Sequence, residues 1–224
     1  MKKTRRKLVL AALPLASAAA TAPAWAQFGG LLGGNKSSGG GNIDGDISNF
    51  LGKSFNIEMS ASKAYLAIAA AFASETERAK FQAMFDDVGK QTNPQEAGAK
   101  FQQVRETTEA EIKRISEEKD LDAKTKSLSA DKQKNLARGV GNILLAGFQA
   151  KDLVPTGQGI VSGVGANPMA VSKLPPVKDA ITRLQGAISM AGSAMPKLLK
   201  ALQGANVSVA TASASSKEEP ISAI

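Results

Sequence analysis

The sequence predicts an all-α fold: a helical bundle of about four principal helices, with a short leading helix, a Gly/Pro-rich crossover and disordered termini. Three observations predict it. Apolar residues recur at three- and four-residue intervals through almost all of residues 43–204, the period of an amphipathic helix. Helix-start signatures recur as well, at Ser74 with Glu77, at Asn93-Pro94 with Glu96, and at Ser129. Alternating β-branched residues are confined to the short stretch "NVSVAT" near the end.

Each element follows from its own pattern. Ile43, Ile47, Phe50 and Leu51 predict a short leading helix over about 44–55. A second helix runs through "IEMSASKAYLAIAAAFA" and on into "SETERAKFQAMFDDVGK", as one long helix with a kink at Ser74. Asn93 as cap and Pro94 at the first helical position open a third. Its apolar face is Ala97, Phe101, Val104, Thr108, Ile112 and Ile115, and it should end near Asp120. Ser129 caps a fourth, bearing Leu136, Val140, Ile143, Leu144 and Phe148, that should stop at about Val154 before Pro155.

"PTGQGIVSGVGANP" then reads as a bend between helices, its glycines relieving the turn and letting one helix approach another closely. The last helix carries a heptad seam: Val177, Ile181, Leu184, Ile188, Ala191, Met195, Leu198 and Leu202 alternate intervals of four and three. Pro196 should kink it and Gly204 should stop it.

Both ends differ in composition from this domain. Residues 1–26 have five positive charges, an Ala-rich apolar stretch interrupted by Pro14 and Pro23, and small residues Ala24 and Ala26 at the cleavage positions. That is the pattern of an export signal peptide cleaved after Ala26, and it leaves no membrane span in the mature chain. "TRRKLVL" resembles the twin-arginine export signal, with Leu8 where that family usually has Phe; a general secretory signal with two adjacent arginines fits equally. The expected location is the periplasm of a Gram-negative bacterium or the exterior. Residues 27–42 have a Gly/Ser linker composition, residues 43–204 form the bundle domain, and residues 205–224 read as a disordered tail.

Composition excludes several chemistries. Of 28 basic residues, the five in the signal leave 23 against 20 acidic, a net charge of +3, too little for a phosphate-backbone footprint. With one Tyr and one Trp, base-stacking platforms are missing too, so no nucleic-acid partner is expected. The absence of cysteine rules out disulfides and a lipoprotein anchor. The absence of histidine removes the commonest metal ligand and general base, so neither a metal nor a cofactor is expected.

The motifs that could carry chemistry fall short of their patterns. The Gly-rich stretch has Ser162 where a dinucleotide loop needs its third Gly, and it lacks the Gly-Lys-Ser/Thr of a phosphate loop. "NIDGDISNF" resembles the start of a calcium loop, but it has Ile47 at the Gly position and Lys53 at the bidentate Glu position. Asp44 and Asp46 therefore read as helix-start residues. Glu106, Glu109, Glu111, Glu117, Glu118, Asp120 and Asp122 alternate with Lys113, Arg114, Lys119, Lys124 and Lys126, as on a solvated helix face. Ser60-Ala61-Ser62-Lys63 has Ser-x-x-Lys spacing, a single short match.

Two features remain. Phe72, Met84, Phe85, Phe148, Met190 and Met195 could line an apolar groove, because Met and Phe make adaptable apolar surfaces; ordinary core is the alternative. Residues 139–204 have six basic and two acidic residues, a local excess that favours an anionic partner or surface. The expected function is that of an exported, non-enzymatic helical binding or interaction protein, holding an apolar ligand, lipid or hydrophobic peptide between its helices. The alternatives are a homo-oligomeric envelope component assembling through the C-terminal seam, and a small hydrolase using Ser62 or a carboxylate pair.

Overall fold

The computed structural model describes residues 43–164, 171–210, 213, 216–221 and 224. The signal peptide and linker expected over residues 1–42 lie outside these residues. Among the described residues the chain forms helices and no strand, so the all-α bundle is the observed fold.

The central element is α1, Ile43–Phe72, which packs on every long helix that follows. It is a single 30-residue helix, so the separate leading helix over 44–55 does not exist. Gly52 costs an exposed helix only about 1 kcal/mol relative to Ala, less than the burial of Ile47, Phe50 and Ile57 on one face supplies. In the last third, Ala64 and Leu66 through Ala71 are all buried. A helix that is apolar all round belongs in the middle of a bundle.

The kinked long helix expected at Ser74 is also replaced. A true restart begins α2, Glu75–Gly89, because Ser74 and Glu77 form a complete capping box. The Ser74 N–H donates to Glu77 Oε2 at 3.1 Å, and the Glu77 N–H donates back to Ser74 Oγ at 3.4 Å. Next, α3 spans Pro94–Ser116, four residues shorter than expected. A separate turn, α4 at Leu121–Ser127, follows it and buries Leu121 and Thr125.

The largest correction falls on the expected bend. The next helix, α5, spans Ala130–Val164 and runs straight through Pro155. Pro155 lies on the solvent side and frees the carbonyl of Lys151, itself exposed, so water can take the missing hydrogen bond. Gly157 faces inward; a Cβ there would stand 2.6 Å from the Phe50 ring and 2.8 Å from Ile181. The close approach expected of a glycine is therefore real, inside a helix rather than at a turn. Residues 165–168, the remainder of that stretch, lie outside the described residues.

The C-terminal helix is divided into α6, Leu174–Ser193, and α7, Met195–Gly204, at Ala194 just before Pro196. The seam is buried inside this chain: Val177, Leu184, Met195, Leu198 and Leu202 lie in the core, with Ile181, Ile188 and Ala191 packed at its edge. The helix ends at Gly204 as expected, but Gly204 keeps a helical position and the cap lies beyond it. Asn206, with φ 58°, takes the left-handed position, and Val207 and Asn206 donate to Leu202 and Gln203 carbonyls, a Schellman ending.

The described residues of the tail expected to be disordered dock instead. Val207 and Val209 pack on the core, and Ile221 and Ile224 are buried in it. Asn142 of α5 donates to the Glu219 carbonyl at 2.8 Å and accepts the Glu219 N–H at 3.0 Å.

Candidate functional site

Polar groups converge where α1, α3 and α6 meet. On α1, Leu51, Ser54, Glu58 and Tyr65 follow helical spacing and share one face. Phe55 of α1 and Phe101 of α3 meet between these two helices, their ring centroids 5.7 Å apart. A cleft of about 520 Å³ opens here, walled by Gly98, Gln102 and Arg105 of α3 and by Pro176, Thr182 and Arg183 of α6.

Glu58 is 6% exposed and accepts from Arg183 Nε through Oε2 at 2.5 Å, while Oε1 has no hydrogen-bond partner among the described residues. Burial pushes its pKa up to about 7 despite the opposing pull of Arg183 and, more weakly, Arg105. Arg105 donates from Nη2 to Gln102 Oε1 at 2.8 Å. Its Nε is buried without a hydrogen-bond partner among the described residues, and a Glu109 carboxylate oxygen is 4.0 Å away. The Tyr65 phenol is buried nearby, and burial raises its pKa above the usual tyrosine value.

Two glycines make room for the two arginines in reciprocal fashion. A Cβ on Gly98 of α3 would stand 3.0 Å from the Arg183 guanidinium of α6. A Cβ on Gly186 of α6 would collide with the Arg105 guanidinium of α3. Each helix therefore offers a bare backbone patch on which the other lays a flat cation. Rigid guanidinium forks held this way keep donors for a planar oxyanion.

The six residues expected to line an apolar groove are not brought together. Phe85, Met190 and Met195 are buried core; Phe72 and Met84 are packed at its edge; Phe148 is 47% exposed. None of them lines the arginine cleft.

The other sequence motifs resolve into structural contacts. Asp44 pairs with Lys173 at 2.7 Å, and with Asp46 it lies in the first turn of α1. Ser60 and Ser62 are buried, and the Lys63 ammonium sits 5.7 Å above the Phe85 ring, so the Ser-x-x-Lys spacing builds no serine–amine pair. Along α3, Glu109–Lys113 and Glu111–Arg114 pair on the solvated face, and Arg114 also pairs with Glu118 just past the helix end.

Glu58, Arg105 and Arg183 were not singled out by the sequence. The available signal was an acid set in the apolar stripe of α1, together with a glycine seven residues before Arg105 and another three after Arg183. No protein-family model matches this chain, and neither the curated proteins nor the solved structures provide a match. Among the described residues no helix is long and apolar enough to cross a membrane.

Proposed function

We propose that this protein is an exported helical binding protein of the bacterial envelope, without catalytic chemistry of its own, that takes its ligand into the cleft between α1, α3 and α6. The observation that carries the reading is the pair of guanidiniums, Arg105 and Arg183, preset on glycine patches at one cleft and opposed by a single buried carboxylate. Cations positioned before a ligand arrives lower the ordering cost of binding. Five of the six apolar residues that favoured a lipid groove serve the chain's own core and Phe148 stands apart from them, which favours the polar cleft as the ligand site. The basic n-region, apolar stretch and Ala24-Trp25-Ala26 support export.

The test is native mass spectrometry of the protein recovered from the periplasmic fraction, alongside its N-terminal sequence. The expected result is a chain beginning at Gln27 with a removable adduct that is absent in Arg105→Gln. An uncleaved chain held in the cytoplasm would overturn export. An adduct unchanged by Arg105→Gln would overturn the cleft.

A further inference from the structure

Building on the reading of this cleft as a ligand site, we infer that its ligand is a small monocarboxylate with an apolar body, the carboxylate engaging Arg105 and Arg183 and the body lying along Leu51, Pro94 and Pro176. Charge comes first. Two guanidiniums face the cleft, and Glu58 engages Arg183 through one oxygen at Nε. Arg105 has a neutral amide, Gln102, as its close partner, and Glu109 stands too far off for a hydrogen bond. Among the described residues Arg105 thus has no carboxylate within hydrogen-bond distance, in a partly desolvated wall where a charge-assisted hydrogen bond is strongest.

The acids beside the cleft limit the ligand to a single negative charge. Asp179 also lines the cleft, so a second charge on the ligand would meet like charge from Asp179 and from Glu58. The rest of the wall sets the body. Leu51, Pro94, Ala99 and Pro176 present apolar surface beside the arginines, and about 520 Å³ falls within the roughly 300–1,000 Å³ of small-molecule sites. A carboxylate with a short aliphatic or aromatic body satisfies both halves; a bare inorganic anion leaves the apolar wall wet.

The experiment titrates the purified protein with octanoate, octanol and inorganic phosphate near pH 8, where Glu58 is ionised, following heat and backbone amide shifts. Octanoate is expected to saturate with a Kd on the order of 0.01–1 mM, with octanol and phosphate each at least about tenfold weaker. Arg105→Gln should weaken octanoate by about tenfold or more and leave octanol unchanged. Arg183→Gln alone strands Glu58, so the paired variant Glu58→Gln/Arg183→Gln serves as the second test; it should melt near the parent and lose octanoate to a similar degree. Octanoate bound equally well by either variant overturns the inference. Equal binding of octanol and octanoate, or tighter phosphate binding that depends on Arg105, overturns the monocarboxylate and leaves the binding-protein reading standing. No saturable binding of any of the three overturns the monocarboxylate inference, while the Arg105-dependent adduct decides the binding-protein reading.

Discussion

Glu58 and Arg183 form an ion pair in which the carboxylate is almost fully buried and only one of its oxygens is bonded. Burial outweighs the pair, and the Glu58 pKa rises from 4.5 to about 7. The folded protein therefore binds a proton that the unfolded chain releases at lower pH. The stability tied to Glu58 is fully present below about pH 4.5, falls as pH rises toward 7, and is level above that. A shift of this size corresponds to roughly 3 kcal/mol across the window. Urea midpoints measured from pH 4.5 to 8 should decline in the parent and decline far less in Glu58→Gln. Glu218, raised in the same direction by partial desolvation, leaves a residual slope. A parent midpoint independent of pH would show that Glu58 is not buried as described.

Removing the cation from that pair should cost more than removing the acid. Arg183→Met takes away both the counter-ion and the hydrogen bond to Oε2, a change that costs about 3–5 kcal/mol when a buried charge is stranded. Glu58→Gln leaves Arg183, 17% exposed, near enough to the cleft for water to solvate it. Thermal melts at pH 8 should rank Arg183→Met well below Glu58→Gln. The reverse order would mean that Arg183, not Glu58, is the trapped charge.

The helices were legible wherever their ends carry a local cap, and less so where tertiary packing decides. Asn93-Pro94 and Ser129 open helices where expected, because caps satisfy free backbone donors locally. In sequence Pro155 has the mark of a stop, since only the fold turns it toward water, and Gly157 that of a turn residue, since nothing local announces Phe50 beneath it. The tail has the composition of disorder, yet Ile221 and Ile224 fill the core and Asn142 binds Glu219 across 77 residues. The arginine cleft was hidden for a related reason. Charged residues on amphipathic helices usually face water, and only the crossing of α3 and α6 brings Arg105 against Gly186 and Arg183 against Gly98.

Gly186→Ala separates stability from binding. A Cβ there displaces the Arg105 guanidinium, the end of a flexible side chain, while alanine favours the helix by about 1 kcal/mol. The melting temperature should hold or rise slightly, and octanoate affinity should fall because Arg105 no longer lies at its patch. Gly157→Ala provides the contrast, since its Cβ would meet the Phe50 ring and Ile181 in packed core, and overpacking there should cost about 1–3 kcal/mol. If both variants shift stability alike, the Gly186 patch has no separate role.

The tail contact makes the last prediction. Asn142 is 2% exposed, and its amide satisfies both backbone groups of Glu219, while Arg138 lies 3.8 Å from the Glu219 carboxylate. Ile221 and Ile224 complete the anchor, with the Ile224 N–H donating to Gln82 Oε1 at 2.9 Å. Asn142→Leu removes the amide and leaves the Glu219 N–H and carbonyl to find water. Because an unmade buried hydrogen bond costs about 1–3 kcal/mol, the tail should detach locally before the bundle unfolds. Amide exchange at 217–221 should accelerate at least tenfold in Asn142→Leu, and again in Ile221→Asp, with α1 and α5 protected as in the parent. Exchange that rises equally in α5 would mean that the tail unfolds only with the whole domain and is an integral part of its core.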